Sequence, residues 1–243
     1  MKNIYVHDEV VHNTSAAREI LPLMFKLYNP GSIIDIGCGI GTWLSVAQEM
    51  GVNDVIGIDG AHLNKDLLKV EFACFKEYDL TLPFNLNRKF DLGICLEVAE
   101  HLPERSAQIL IKSLVDHADV IMFSAAIPGQ GGQNHLNEQW PSYWQDIFRQ
   151  HNYEFEDYFR PKIWMNENIE FWYRQNIFLV VNKNHAIAAN DISTALPLVH
   201  PDLFRTVLMQ KDDKITRLKQ KLMAIEQGNG FKKMVKSVFK KSK

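Results

Sequence analysis

The chain has 243 residues, 46% of them hydrophobic and 23% charged, which suits a globular protein with room for one α/β domain and a short appendage. Its net charge of −2 gives no general case for nucleic-acid binding, but the charge is uneven: six lysines in residues 231–243 leave residues 1–230 with 21 basic and 29 acidic side chains, net −8. The three cysteines (Cys38, Cys74 and Cys95) form no CxxC pair, the N-terminus has no apolar leader, and no apolar run reaches the roughly 18 residues of a membrane span, so the expected setting is cytoplasmic and reducing.

Apolar strand-like runs alternate with helical patterns, which predicts a mainly parallel sheet covered by helices. Asn13-Thr14-Ser15 offers a helix N-cap, and the spacing of Ile20, Leu23, Met24 and Leu27 carries the helix toward Asn29-Pro30-Gly31. His12 precedes it and suits a helix-entry role. SIIDIG reads as the first strand and Thr42 to Met50 as a helix. NDVIGIDG is the second strand, FACFKEYD a weaker third and KFDLGICLE the fourth. Pro103 to His117 reads as a helix opened by proline, DVIMFSAAIP as the fifth strand and Glu138 to Gln150 as a helix. YEFEDYF and QNIFLVVNK supply the last two strands.

Beyond Asn184 the pattern changes. Residues 185–204 read as a linker between a domain at 1–184 and an appendage at 205–243. In the helix from Arg205 to Gln227, Leu208, Ile215 and Leu222 are seven apart, as are Leu218 and Ile225, the spacing of a short coiled coil. FKKMVKSVFKKSK puts Phe231, Met234, Val235, Val238 and Phe239 on one helical face with lysines elsewhere, a pattern that suits an anionic membrane face or a partner helix.

The chemistry starts at IIDIGCGIGTW, which follows a strand and opens a helix. Gly37, Gly39 and Gly41 permit a sharp turn and close backbone approach to a ligand, and a helix N-terminus presents free N–H groups. A dinucleotide fingerprint needs glycine at position 42, where this chain has Thr42. The D-x-G-x-G-x-G spacing starting at Asp35 instead resembles motif I of the class I S-adenosylmethionine-dependent methyltransferases, a resemblance that covers roughly residues 13–182. It implies an α/β, Rossmann-like, seven-stranded and mainly parallel sheet with helices on both faces, plus a C-terminal helical appendage. It also implies S-adenosylmethionine as cofactor, held by Asp35, Gly37, Cys38, Gly39, Gly41, Trp43, Asp59, Gly60, Asp79, Leu80 and Glu97. In that family's arrangement Asp59 receives the ribose hydroxyls, Asp79 lies near the adenine amino group with Leu80 against the ring, and Glu97 borders the methionine portion. Trp43 fits the core equally well.

CLEVAEHLPE places Glu97, Glu100 and His101 where a buried strand gives way to a helix. The run resembles the E-x-x-E-H of several small-molecule O-methyltransferases. In some relatives such groups hold a divalent cation, Mg²⁺ or a softer ion, and His135 would join Glu97, Glu100 and His101 in that role. Glu100 and His101 also fit a capping pair before Pro103. His135 and His101 are the candidate proton acceptors. His135 lies in AAIPGQGGQNHLNEQWPSYWQDIF, where Gln133, Asn134, Trp140, Tyr143 and Trp144 would suit a polyhydroxylated acceptor. Arg160, Lys162 and Arg174 could meet an acceptor phosphate or carboxylate, and surface salt bridges explain them equally well.

The N/D-PP-Y/F tetrapeptide of amino-methylating enzymes is absent after the fourth strand. That favours oxygen as the acceptor, and the aromatic, amide-rich loop around His135 resembles that of methyltransferases in cell-surface polysaccharide pathways. The expected function is O-methylation of a saccharide or sugar nucleotide in such a pathway, by a cytoplasmic enzyme that its basic tail could bring to the inner membrane face. A metal-dependent enzyme of phenol or quinone rings and a non-catalytic cofactor-binding scaffold are the alternatives.

Overall fold

The computed structural model describes residues 13–61, 63–187 and 195–227. His12 and the basic segment 231–243 lie outside them. The chain divides into two units, the first ending at His200 and the second starting at Pro201.

In the first unit, α1 (Ser15–Leu27), β1 (Ser32–Ile36), α2 (Thr42–Glu49), β2 (Asp54–Asp59) and β3 (Phe75–Glu77) come first. They are followed by β4 (Leu92–Leu96), α3 (Ala107–His117), β5 (Val120–Ser124), α4 (Pro141–Arg149), β6 (Tyr153–Glu156), α5 (Arg160–Ile163), α6 (Phe171–Asn176) and β7 (Phe178–Asn182). The sheet order is β3-β2-β1-β4-β5-β7-β6. Pairings from β3 through β5 are parallel, and β7 runs antiparallel to both β5 and β6.

All five residues of β1, β4 and β5 are buried, as strands covered on both faces must be. Side chains alternate between the two covering layers. Ile33, Met122 and Leu179 join Ile20, Leu21 and Met24 of α1 and Leu44 of α2 in one layer. Ile34, Phe123 and Phe178 join Leu110 and Leu114 of α3 and Trp144 and Phe148 of α4 in the other.

Several element ends differ from the sequence reading, each for a local reason. The residue before a proline is biased toward extended backbone, so Trp140 (φ −65°, ψ 152°) holds α4 back to Pro141 instead of Glu138. Pro103 (ψ 145°) leads first into a 3-10 turn at Glu104–Ser106, and α3 opens at Ala107. The third strand shrinks to three residues behind a 3-10 turn at Phe72–Cys74. Gln175 and Asn176, expected in the last strand, close α6.

The described end of the expected linker, residues 195–200, includes two buried positions, Ala195 and His200, and is tied to the body by hydrogen bonds. The second unit is α7 (Pro201–Gln227), four residues longer at its start than the spacing predicts and opened by a proline. Leu208, Ile215, Leu218, Leu222 and Ile225 are all exposed along it. Among the described residues no helix is long and apolar enough to cross a membrane.

The sheet order reverses at β1, whose successors in the chain lie on one side (β2, β3) and then the other (β4, β5). Such a switch point opens a crevice beyond the carboxyl ends of the strands. Gly37 starts the turn there with φ +86°, and a Cβ on it would lie 2.3 Å from Val98 Cγ2. Gly37→Ala is therefore expected to destabilise the protein by about 2 kcal/mol or more, read as a lowered midpoint in urea unfolding; an unchanged midpoint would refute the steric account.

Candidate active site

Asp59, the last residue of β2, organises the glycine turn. Its Oδ2 accepts the Gly39 N–H at 2.7 Å and its Oδ1 the Gly60 N–H at 2.6 Å. Gly37 and Cys38 donate their N–H groups to the Ile58 carbonyl at 2.7 and 3.1 Å. Gly37, Gly39 and Gly41 all have positive φ, which explains the residue type at each position. A carboxylate oxygen accepts more than one hydrogen bond, so Asp59 keeps acceptor capacity for hydroxyl groups.

Asp35 lies next to this turn, 2% exposed, and its Oδ2 has no hydrogen-bond partner. Burial first, and then the neighbouring Asp59, push its carboxyl well above the usual range. The Cys38 side chain turns inward, where its Sγ packs so closely on Gly57 that a Cβ there would approach to 2.7 Å. Burial pushes its thiol well up, so this cysteine offers backbone to the turn and sulfur to the core. Trp43 is buried at the start of α2, edge-on to Tyr173 at 5.5 Å.

Beyond β3 the Tyr78 N–H reaches the Asp59 carbonyl at 3.0 Å, which brings Asp79 to the same end of the sheet. Asp79 Oδ1 accepts from the backbone and the hydroxyl of Thr81, at 2.9 and 2.7 Å. Leu80 is buried in the layer that also contains Ile36, Ile58 and Val98.

Glu97, just past β4, is a non-glycine residue in the left-handed region, φ +54°. A conformation of this kind persists only where its surroundings enforce it. Here the Glu97 N–H is shared between the Ser124 carbonyl at 3.1 Å and the Ser124 Oγ at 3.0 Å. The turned chain presents the carboxylate to two amides: Gln130 Nε2 donates to Oε2 at 3.0 Å and Asn176 Nδ2 to Oε1 at 3.1 Å. The sequence reading did not single out these partners. For Asn176 the pointer was there in QNIFLVVNK, where two amides stand at the mouth of a buried strand, whereas Gln130 sits in the glycine-rich PGQGG. Burial and the Glu97 carboxylate together push Tyr173 above its ordinary pKa.

Glu100 is fully buried in the 3-10 turn Ala99–His101, and neither carboxylate oxygen has a hydrogen-bond partner. Burial, and then Glu97, push it well above the usual carboxylate range. Its backbone carbonyl accepts from the N–H groups of Leu136 (2.7 Å) and Asn137 (3.0 Å), which fastens the loop after β5 over the turn after β4.

That pairing sets His135 against His101, with ring centroids 4.9 Å apart and planes at 84°. Glu138 fixes the loop from below. It accepts the N–H groups of Gly129 and Gly131, each at 2.7 Å, and engages His135 Nδ1 at 2.8 Å. One potential ligand atom each from Glu100, His101 and His135 lie within 4.8 Å of one another. One carboxylate with two imidazoles suits a borderline divalent ion, and an orphaned buried carboxylate is the kind of group such an ion satisfies. Glu97 stands beside this group with its oxygens engaged by the amides.

The remaining aromatic and basic candidates are placed differently. Trp144 is buried against Phe123 in the core, whereas Trp140 is exposed. Arg160 is buried, pairs with both oxygens of Asp157 and lies over the Phe178 ring, so it serves the fold. Lys162 donates to the Tyr158 carbonyl, and Arg174 to that of Trp164.

Asp35 gives a pH prediction. Its folded-state pKa is raised, so the folded chain holds this proton more tightly than the unfolded chain. Stability is then lost as pH rises from the ordinary carboxylate range through the raised value. Asp35→Asn is expected to melt higher than the wild type at neutral pH, with the difference closing near pH 4, in a melting series across pH; a pH-independent difference would contradict this.

A family model described as a methyltransferase domain matches residues 10–162. No curated protein matches the chain. Among solved structures it is similar to the magnesium protoporphyrin IX methyltransferase of Synechocystis with bound SAM: 20% identity, 71% of this chain and 80% of that one covered, TM-score 0.50. It is also similar to DesVI of Streptomyces venezuelae, at 14% identity, covering 73% and 99%, TM-score 0.51. The sugar N-methyltransferase KedS8 of a Streptoalloteichus species matches at 13% identity, covering 75% and 97%, TM-score 0.52. At these identities the likeness is one of fold. With the family model spanning more than half of its length, the chain belongs to the methyltransferase-domain family and carries the class I fold of S-adenosylmethionine-dependent methyltransferases.

Proposed function

We propose that this protein transfers the methyl group of S-adenosylmethionine to a hydroxyl of a polyhydroxylated small molecule, a saccharide or sugar nucleotide, at a centre formed by Glu100, His101 and His135. The observation that carries the reading is the fully buried Glu100 carboxylate, which has no hydrogen-bond partner and stands beside two imidazoles at the crevice. The methyl-bearing sulfonium supplies the electrophile, so the protein's part is alignment, exclusion of water and management of the acceptor proton.

Asp35, the turn at Gly37, Cys38, Gly39 and Gly41, Asp59, Gly60 and Asp79 line the end of the sheet that would receive the nucleoside, with Trp43 and Leu80 packed behind. Glu97 would border the amino-acid portion. A divalent cation held by Glu100, His101 and His135 would act as a Lewis acid, lowering the pKa of an acceptor hydroxyl. With Nδ1–H donated to Glu138, His135 carries its lone pair on Nε2. In the absence of a cation the same His135 lone pair would take the acceptor proton directly. The absence of the amino-methylating tetrapeptide after β4 favours oxygen as acceptor, whereas one structural relative is named a sugar N-methyltransferase.

Transfer of labelled methyl to a panel of sugar nucleotides, aminosugars and catechols, each with EDTA and with added Mg²⁺ or Mn²⁺, tests the reading. Label is expected in a hydroxyl of a sugar fraction, with loss of at least about a hundredfold in EDTA and in Glu100→Gln. Label confined to catechols sinks the saccharide, and label on an amine sinks the oxygen acceptor. Transfer unaffected by EDTA leaves His135 as base without a metal.

The exposed, seven-spaced seam of α7 supports pairing with a second copy of the chain. In the full chain, Ile215→Asp with Leu218→Asp is expected to reduce the sedimenting mass to that of a monomer, and an unaltered mass would remove this part of the reading.

A further inference from the structure

Three buried or half-buried amides separate Glu97 from the strap formed by residues 195–200. Gln175 and Asn176 are 1% and 2% exposed. The His200 backbone N–H donates to Gln175 Oε1 at 2.8 Å. Gln175 Nε2 donates to Asn176 Oδ1 at 2.9 Å and to Gln130 Oε1 at 3.2 Å. Asn176 Nδ2 also reaches Gln130 Oε1, at 2.9 Å. Gln130 Nε2 and Asn176 Nδ2 then end on the two oxygens of Glu97.

An isolated side-chain amide can turn over and exchange its donor for its acceptor end, and only its partners decide which way it points. A backbone N–H cannot turn over. The His200 N–H therefore fixes the oxygen of Gln175 toward the strap and its nitrogen toward the other two amides. Their oxygens are thereby occupied, and only N–H groups remain to face Glu97. The strap itself is held elsewhere. Ala195 N–H donates to Gln145 Oε1 at 3.3 Å, Arg160 Nη1 to the Leu196 carbonyl at 3.0 Å, and His200 Nε2 lies 2.9 Å from the Trp164 carbonyl.

We propose that Gln175 is a positioning residue and the 195–200 strap the element that sets its polarity, so that the Glu97 carboxylate is aimed by a directed chain of amides starting at the His200 N–H. The proposal rests on the reading that Glu97 borders the amino-acid portion of the cofactor. Without the strap, Gln175 is free to turn over, and carbonyl oxygens then face the carboxylate.

The test uses the full chain in four forms: wild type, Gln175→Met, His200→Pro (which deletes the backbone donor) and His200→Ala (which removes only the ring). Calorimetry measures binding of S-adenosylhomocysteine and of adenosine, which lacks the amino-acid portion, and circular dichroism confirms folding of each form. Gln175→Met and His200→Pro are expected to weaken S-adenosylhomocysteine about tenfold and adenosine less than about twofold, with His200→Ala close to wild type. Equal losses for both ligands, or no loss for either, would overturn the proposal. Wild type binding neither ligand would defeat the cofactor reading instead. Proton exchange of the Gln130 and Asn176 side-chain amides, followed by NMR, then decides: faster exchange in Gln175→Met and His200→Pro but not in His200→Ala supports the strap's role, and unchanged exchange refutes it.

Discussion

The reversal of strand order at β1 is the constraint on which the rest depends. Parallel strands that turn away on either side leave a crevice that no crossover helix fills, and the buried acidic side chains at the strand ends are collected there. Below that edge the central strands β1, β4 and β5 are buried between two largely apolar helical layers. At the edge, within a few residues of three strand ends, stand Asp35, Asp59, Glu97 and Glu100.

These carboxylates share a region but not a state. Asp59 and Glu97 are satisfied, the first by backbone amides and the second by side-chain amides. Asp35 and Glu100 retain buried oxygens without partners, and burial lifts both well above the ordinary range. A buried unsatisfied polar group costs about 1–3 kcal/mol, so these two carboxylates are a local cost to the fold that the apolar layers must offset.

Two loops far apart in sequence complete the site. The turn after β4 supplies Glu100 and His101, and the loop after β5 supplies His135. The Glu100 carbonyl joins them by accepting the Leu136 and Asn137 amides. Glu138 secures the second loop through two glycine N–H groups and the His135 ring, which uses a carboxylate to hold a flexible segment in one shape. Both loops extend from the strand ends where the cradle lies, so the rigidity of the sheet is passed to them by backbone hydrogen bonds.

Much of this was legible in the amino-acid order, because the relevant physics is local. Alternating apolar runs fix the strands, D-x-G-x-G-x-G fixes the turn, and the abrupt Glu97, Glu100 and His101 after LGICL mark the crevice edge. Helix ends beside Pro103 and Pro141 were displaced, since a proline alters the backbone of its neighbours and not only its own. What the sequence could not decide was which polar groups find each other across long separations. Glu97 meets Asn176 seventy-nine positions on, and Gln175 meets the His200 N–H twenty-five positions on. A carboxylate or an amide has the same spelling whether it is paired, orphaned or turned around. Its state depends on burial and on partners brought together by the sheet, which only the tertiary structure supplies.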